Sequence, residues 1–247
     1  MKRLFPILAV LTALLLVYAL YQALVVAPTE RTMGDVQRIF YYHVPSAWTA
    51  FLLFLVNLVA SVVYLVNRNP KVDAVAVVSA EVGVVFCTVV LVTGPIWARP
   101  VWGIWWTWDI RLTSTLVLWL IYVSYLILRR FSESAQTPVL AAVLAIFGAL
   151  DVPLVYFSIW FFRTQHPQPV IGGGGSLDPR MGRALLINWV AFLCFAFLMC
   201  WSRYRLENLR REVEEAEALE SLLDAPAAPV ARNTFVSGES NIKRGPR

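Results

Sequence analysis

The chain has 247 residues but only two histidines, His43 and His166, and that scarcity makes each one informative. His43 stands in Tyr41-Tyr42-His43-Val44-Pro45, and His166 in Gln165-His166-Pro167-Gln168-Pro169. In both stretches a nearby proline stiffens the backbone and helps aim the ring. Imidazole is the commonest side-chain ligand for transition metals and is also a ligand of haem iron. Two such rings on one side of a membrane can supply both axial positions of one haem, provided the chain brings them together. Taken singly, an interfacial His more often just hydrogen-bonds at the headgroup level. Zinc is the weaker candidate. It asks for three or four N, S or carboxylate ligands, and no third His or outer Cys accompanies this pair.

The second unusual feature is tryptophan. Trp97, Trp102, Trp105, Trp106 and Trp108 are five of the ten in the chain, and they crowd into one segment that continues through Asp109 and Arg111. An aromatic belt at the membrane surface accounts for Trp48, Trp160 and Trp201. It accounts poorly for this crowding, because a belt spreads around the protein. Trp102, Trp105 and Trp106 have i, i+3, i+4 spacing, so a short helix is expected to place them on one face. That face would be an apolar plate on which a flat porphyrin can stack. Arg38, Arg99 and Arg111 carry the charge to pair with two propionates, or alternatively with lipid phosphates. Asp109 is suited to capping the helix that follows or to orienting Arg111.

These residues must be positioned by elements that cross a bilayer. The chain is 59% hydrophobic and 15% charged, with a mean hydropathy of +0.64. Soluble domains run near ~45–50% apolar and ~25% charged. Lys and Arg total 21 against 16 acidic residues, a net +5, yet the basic residues share no single stripe. Nucleic-acid binding is therefore excluded as a reading. Cys87, Cys194 and Cys200 all lie in apolar stretches and build no disulfide framework, Cys-based metal site or Cys-x-x-Cys-His haem attachment.

A spanning helix needs roughly 20 mostly apolar residues. Six segments qualify: Leu4 to Val26, Ala47 to Val66, Ala74 to Val92, Thr113 to Leu128, Val139 to Phe157 and Ala184 to Trp201. The first is too long for a signal-peptide core and is expected to be retained. The fold class expected is thus an all-α integral membrane protein, with residues 1–202 as a six-span domain. Residues 203–247 form a charged helix and then a small, polar, disordered tail. Positive charge at Lys2, Arg3, Arg68, Lys71, Arg129, Arg130, Arg203, Arg205, Arg210 and Arg211 is denser than in the longer odd-numbered connections, which hold Arg31, Arg38, Arg99, Arg111, Arg163, Arg180 and Arg183. Both termini are therefore expected in the cytoplasm. Connections 27–46, 93–112 and 158–183 then share the outer face, with His43 in the first, the Trp segment in the second and His166 in the third.

The segment Trp102-Gly103-Ile104-Trp105-Trp106-Thr107-Trp108-Asp109 looks like the WWD signature of haem-handling proteins. The flanking Gly94-Pro95, Arg111-Leu112-Thr113-Ser114 and Arg38-Ile39-Phe40-Tyr41-Tyr42-His43-Val44-Pro45 narrow the match. Together they resemble the haem exporter protein C family, the membrane haem-delivery subunit of system I cytochrome c maturation. The resemblance covers roughly residues 1–205. It implies a bacterial inner-membrane protein that holds haem b at the outer face between His43 and His166. It also implies that the WWD segment, Gly103 included, presents the haem to a periplasmic haem chaperone. Further partners implied are an ABC-type ATPase, a second membrane subunit and a small single-span protein, besides membrane lipid. The charged tail matches nothing in the family pattern. The related WWD proteins are much longer and carry additional His.

Ligands on loops suit a holding site whose iron can exchange a ligand with an incoming partner. The competing reading is a b-type membrane oxidoreductase that moves electrons through the same His pair. Such a cytochrome is expected to carry stacked His inside its helices, often in two pairs. A third reading is a scaffold whose Trp cluster binds lipid or protein. The sequence has no P-loop and no nucleophile–base constellation, so any ATP-driven step belongs to another chain. Whether handover of haem counts as catalysis is a matter of definition. Glu81 and Asp151 lie within spans, where a bare charge costs about 2.5–3.5 kcal/mol. Both are expected to face the bundle, protonated or bonded to Asn57 or Asn188. The run Ile171-Gly172-Gly173-Gly174-Gly175-Ser176 is expected to be flexible.

Overall fold

A computed structural model describes residues 4–132, 134–162, 164–167 and 177–223. The glycine run after His166 and the expected disordered tail lie outside the described residues. Helix α1 (Leu4–Tyr21) continues through one wide π turn, Gln22–Val26, into a single span. A 3-10 turn, Asp35–Ile39, leads into α2 (Phe40–Asn67). Then come α3 (Pro70–Trp102), α4 (Ile110–Phe131), α5 (Thr137–Ala149), α6 (Asp151–Phe161) and α7 (Pro179–Leu223). Six stretches are long and apolar enough to cross a membrane, with α5 and α6 together forming the fifth. The protein is a multi-pass, all-α membrane protein, and the six expected spans are present.

The helix ends follow local chemistry. Pro70 starts α3 where its missing N–H costs nothing, and Asn69 caps that helix by accepting the Lys71 N–H at 2.9 Å. Gly103, at φ +80°, ends α3, and its N–H closes on the Arg99 carbonyl at 3.0 Å. Asp109 caps α4 by accepting the Leu112 N–H at 2.9 Å.

Two helices are longer than their apolar cores. α2 starts at Phe40 and takes in His43, so this residue is on a helix and not in a loop. α3 runs past Val92 through Pro95 and Pro100 and carries Trp97, Arg99 and Trp102. Proline inside a membrane helix is tolerated where neighbours re-satisfy the freed backbone groups.

Small residues let the helices approach. A Cβ on Gly83 would lie 2.7 Å from Phe54 Cε1, so α3 can meet α2 there only as glycine. Phe54 in turn stacks on Tyr122 of α4, with ring centres 3.9 Å apart and planes 13° from parallel. Ala50, Ala80, Ala141 and Ala145 complete this core. A second cluster of Ala23, Ala27, Tyr41, Met181, Ala184 and Leu185 ties the end of the first span to α2 and α7.

Several polar groups inside the spans are partnered in ways the sequence did not reveal. Asn57 donates to the Ala76 carbonyl at 2.7 Å, and Asn188 donates to those of Ala19 and Ala184 at 3.1 and 2.8 Å. Neither asparagine holds Glu81. Instead Arg203 clamps both Glu81 oxygens at 2.8 Å each, a bidentate pair between α3 and α7. Asp73 and Arg129 form a second, buried ion pair. Asp151 stands at the start of α6, just after the break at Leu150, and is bonded to neither asparagine. The chain divides into two compact units, Met1–Leu209 and Arg210–Arg247. The described part of the second is helical and carries an Arg210–Glu214 ion pair at 2.7 Å.

Candidate functional site

The two histidines, far apart in the chain, meet. Their ring centres are 6.4 Å apart and their planes 30° from parallel. Two imidazoles that share one metal ion through bonds of about 2 Å hold their centres roughly 6 Å apart. The gap therefore fits one interposed metal atom and is too wide for direct stacking.

Hydrogen bonding fixes which nitrogen of each ring is free. Nδ1 of His43 lies 2.8 Å from the Thr93 hydroxyl. That hydroxyl spends its own proton on the Val89 carbonyl at 2.6 Å, so its oxygen accepts from His43 Nδ1–H. Nδ1 of His166 lies 2.9 Å from the Pro167 carbonyl, which can only accept. Both rings thus carry hydrogen on Nδ1 and leave the Nε2 lone pair available, as in metal-bound histidine whose outer partner orients it. Desolvation, and then the Arg111 charge, pull the His166 pKa down to about 4, which keeps the ring neutral at pH 7. Among the described residues no group of three or more His, Cys, Asp or Glu gathers to hold a metal ion.

A cavity of about 420 Å³, within the usual range for small-molecule sites, opens beside the rings. His43, Trp97, Trp102, Trp106, Arg111 and His166 line it, together with the apolar Ala50, Phe51, Cys87 and Leu185. The indole N–H of Trp106 is buried and has no hydrogen-bond partner among the described residues. A buried donor left unpaired beside an apolar cavity points to a ligand that carries an acceptor.

The tryptophans do not form one helical plate. Because Gly103 ends α3, residues 103–109 are irregular, and Trp102, Trp105 and Trp106 share no helix face. Trp97 and Trp102 meet edge to face at 5.1 Å, and so do Trp106 and Trp108 at 5.7 Å. Trp97, Trp102 and Trp106 wall the cavity, whereas Trp105 and Trp108 turn outward, 59% and 77% exposed.

The arginines also divide. Arg111 lines the cavity and donates to the Val155 carbonyl at 3.2 Å. Arg38 donates to the carbonyls of Ala23 and Ala27 at 2.7 and 3.3 Å, and so holds the last turn of the first span. It also pairs with Asp35 at 3.1 Å. Arg99 donates to the Gly103 carbonyl at the end of its own helix. Asp109, besides capping α4, accepts from the hydroxyls of Thr107 and Thr164 at 3.3 and 2.9 Å.

Thr93 and Thr164 are the site residues that sequence reasoning missed. A metal-bound His needs an outer partner, and that rule could have prompted a search for one. It could not choose among the many hydroxyls in the chain.

Comparison with known proteins agrees with this architecture. Residues 1–219 match the family model described as heme exporter protein C. A heme exporter protein C from Bradyrhizobium diazoefficiens is 36% identical over 242 residues, which cover 97% of this chain and 92% of the relative. The heme exporter protein C of Haemophilus influenzae is 30% identical over 221 residues, covering 86% and 87%. A chain from Marchantia polymorpha, provisionally named a ccmC-like mitochondrial protein of cytochrome c biosynthesis, is 33% identical over 181 residues, covering 73% and 76%. With the family model matched over most of its length and relatives above 30% identity, the chain belongs to the heme exporter protein C family.

Proposed function

We propose that this protein binds haem b between His43 and His166 at the outer face of the inner membrane and presents it to a periplasmic haem chaperone for c-type cytochrome biogenesis. The observation that carries the reading is the 6.4 Å gap between two rings whose Nδ1 atoms are both engaged. The cavity residues fit such a cargo. Trp97, Trp102 and Trp106 offer aromatic walls, Arg111 offers a cation for a propionate, and the Trp106 N–H offers a second donor. Arg38 and Arg99 serve the site from outside the cavity, by fixing the helix ends that flank it. Trp105, Trp108 and Gly103 form the outward part of the segment, where a partner can reach the edge of the macrocycle.

The positive-inside pattern supports cytoplasmic termini and, with them, a cavity that opens on the periplasmic side. The relatives are named as haem exporters, which supports work within an ABC-type complex. The chain has no P-loop of its own, so any ATP-driven step belongs to an ATPase subunit, and the family resemblance implies a second membrane subunit and a small single-span subunit beside it.

The test is absorption spectroscopy of the purified protein with added haem. Wild type is expected to give a six-coordinate, low-spin spectrum. His43→Ala and His166→Ala are each expected to lose one axial ligand and to hold haem less tightly. Unchanged spectra and unchanged retention in both variants would overturn the proposal.

A further inference from the structure

His43 is carried on a helix, but His166 is not. It stands in the irregular segment 164–167, between α6 and α7. A ligand on such a segment has no intrahelical hydrogen bonds to fix its backbone, so another element must hold it.

We propose that Asp109, the acidic residue that closes the tryptophan segment, is a positioning residue that latches His166 through Thr164. One Asp109 oxygen accepts the Leu112 N–H at 2.9 Å and is thereby anchored to the start of α4. The other accepts the Thr164 hydroxyl proton at 2.9 Å. The same hydroxyl oxygen accepts the backbone N–H of His166 at 3.1 Å. The His166 ring is then set by its own bond to the Pro167 carbonyl at 2.9 Å. The path runs from a rigid helix end, through one carboxylate and one hydroxyl, to the backbone of the ring. Asp109 itself is absent from the residues that line the cavity. Its carboxylate is instead hydrogen-bonded to the segment that carries the ligand. Thr107, which donates to the same oxygen at 3.3 Å, holds the carboxylate from the tryptophan side. The acidic residue and the distant His thus belong to one device.

The inference rests on the reading that His166 ligates haem. Partners one shell outside a ligand typically change affinity by roughly 10–100-fold. The experiment uses the full chain loaded with haem and reads both the coordination state and the rate of haem loss. Thr164→Val keeps the shape and removes both hydrogen bonds. Asp109→Ser keeps a good cap for α4 but is too short to reach Thr164.

Each variant is expected to shift haem from six- to five-coordinate and to speed its loss by about 10–100-fold. Added imidazole should restore six-coordination, which would also show that the fold and the cavity are intact. Thr164→Ser should recover most of the retention lost in Thr164→Val, and combining Thr164→Val with Asp109→Ser should do no more than either alone. Six-coordinate haem with unchanged retention in Thr164→Val or in Asp109→Ser would overturn the latch, as would Thr164→Ser behaving like Thr164→Val. If the underlying reading were at fault, the failure would look different. His166→Ala would then match wild type, whatever Thr164 and Asp109 did.

Discussion

At the scale of single residues, the candidate site turns on two imidazoles whose free nitrogens are dictated by what their other nitrogens bond. Thr93 does this for His43 from the adjacent helix, across a 2.8 Å contact. Thr93→Val should leave the ring in place but unfixed. Haem titration is expected to show affinity lower by about 10–100-fold, with a bis-histidine spectrum retained at saturating haem. His43→Ala should instead lose that spectrum at any haem concentration. The histidine pair stood out in the sequence as a candidate, because two histidines in so apolar a chain invite the question of what they do. Thr93 was not legible. A threonine within an apolar helix commonly satisfies itself on its own backbone, as Thr93 does on Val89. Only the packing of α2 against α3 shows that its oxygen also faces a ring.

At the scale of elements, glycine decides where helices stop and how closely they pack. Gly103 holds a positive φ that other residues adopt at a cost of about 1–2 kcal/mol. Gly103→Ala should therefore lower the melting temperature and shift Trp fluorescence, because α3 would end differently and the tryptophan segment would move. Gly83→Ala brings a methyl group against Phe54, which is itself pinned by Tyr122. Overpacking of this kind typically costs about 1–3 kcal/mol and should appear as easier thermal unfolding in detergent. A smaller partner, in Gly83→Ala combined with Phe54→Leu, should recover part of that loss.

The existence of six spans followed from hydropathy alone. Their lengths did not, since hydropathy marks the part of a helix that touches lipid and is blind to polar turns beyond it. That is why His43 and Trp97, expected in loops, stand on α2 and α3. The i, i+3, i+4 spacing of Trp102, Trp105 and Trp106 suggested a shared face. The αL residue between them prevents it.

At the scale of the whole molecule, charges inside the bundle must pair or face a cavity. Arg203 meets Glu81 through two 2.8 Å bonds, joining α3 to the sixth span. Arg203→Gln should strand the carboxylate and destabilise the protein by about 1–3 kcal/mol. Adding Glu81→Gln should restore most of the loss in a melting assay, as expected for coupled partners. Orientation can be tested by placing single cysteines in a variant without Cys87, Cys194 and Cys200. An impermeant thiol reagent should label Ile104→Cys in cells with an intact inner membrane, and Ala135→Cys only once that membrane is opened. The reverse pattern would invert the topology and with it the face that offers the cavity.

By itself the sequence determined that this chain crosses a membrane six times, and it singled out two histidines, a run of indoles and a few arginines as the candidates for chemistry. Those properties depend on residue type and on hydropathy over a helix length, both of which are local. Only the tertiary structure decided that the two rings stand with their centres 6.4 Å apart, that Arg111 alone of the three candidate arginines lines the cavity, and that Asp109 turns toward the segment bearing His166. Each of these is a distance between residues remote in the chain. It is set by how helices pack through their small residues, which no local pattern encodes.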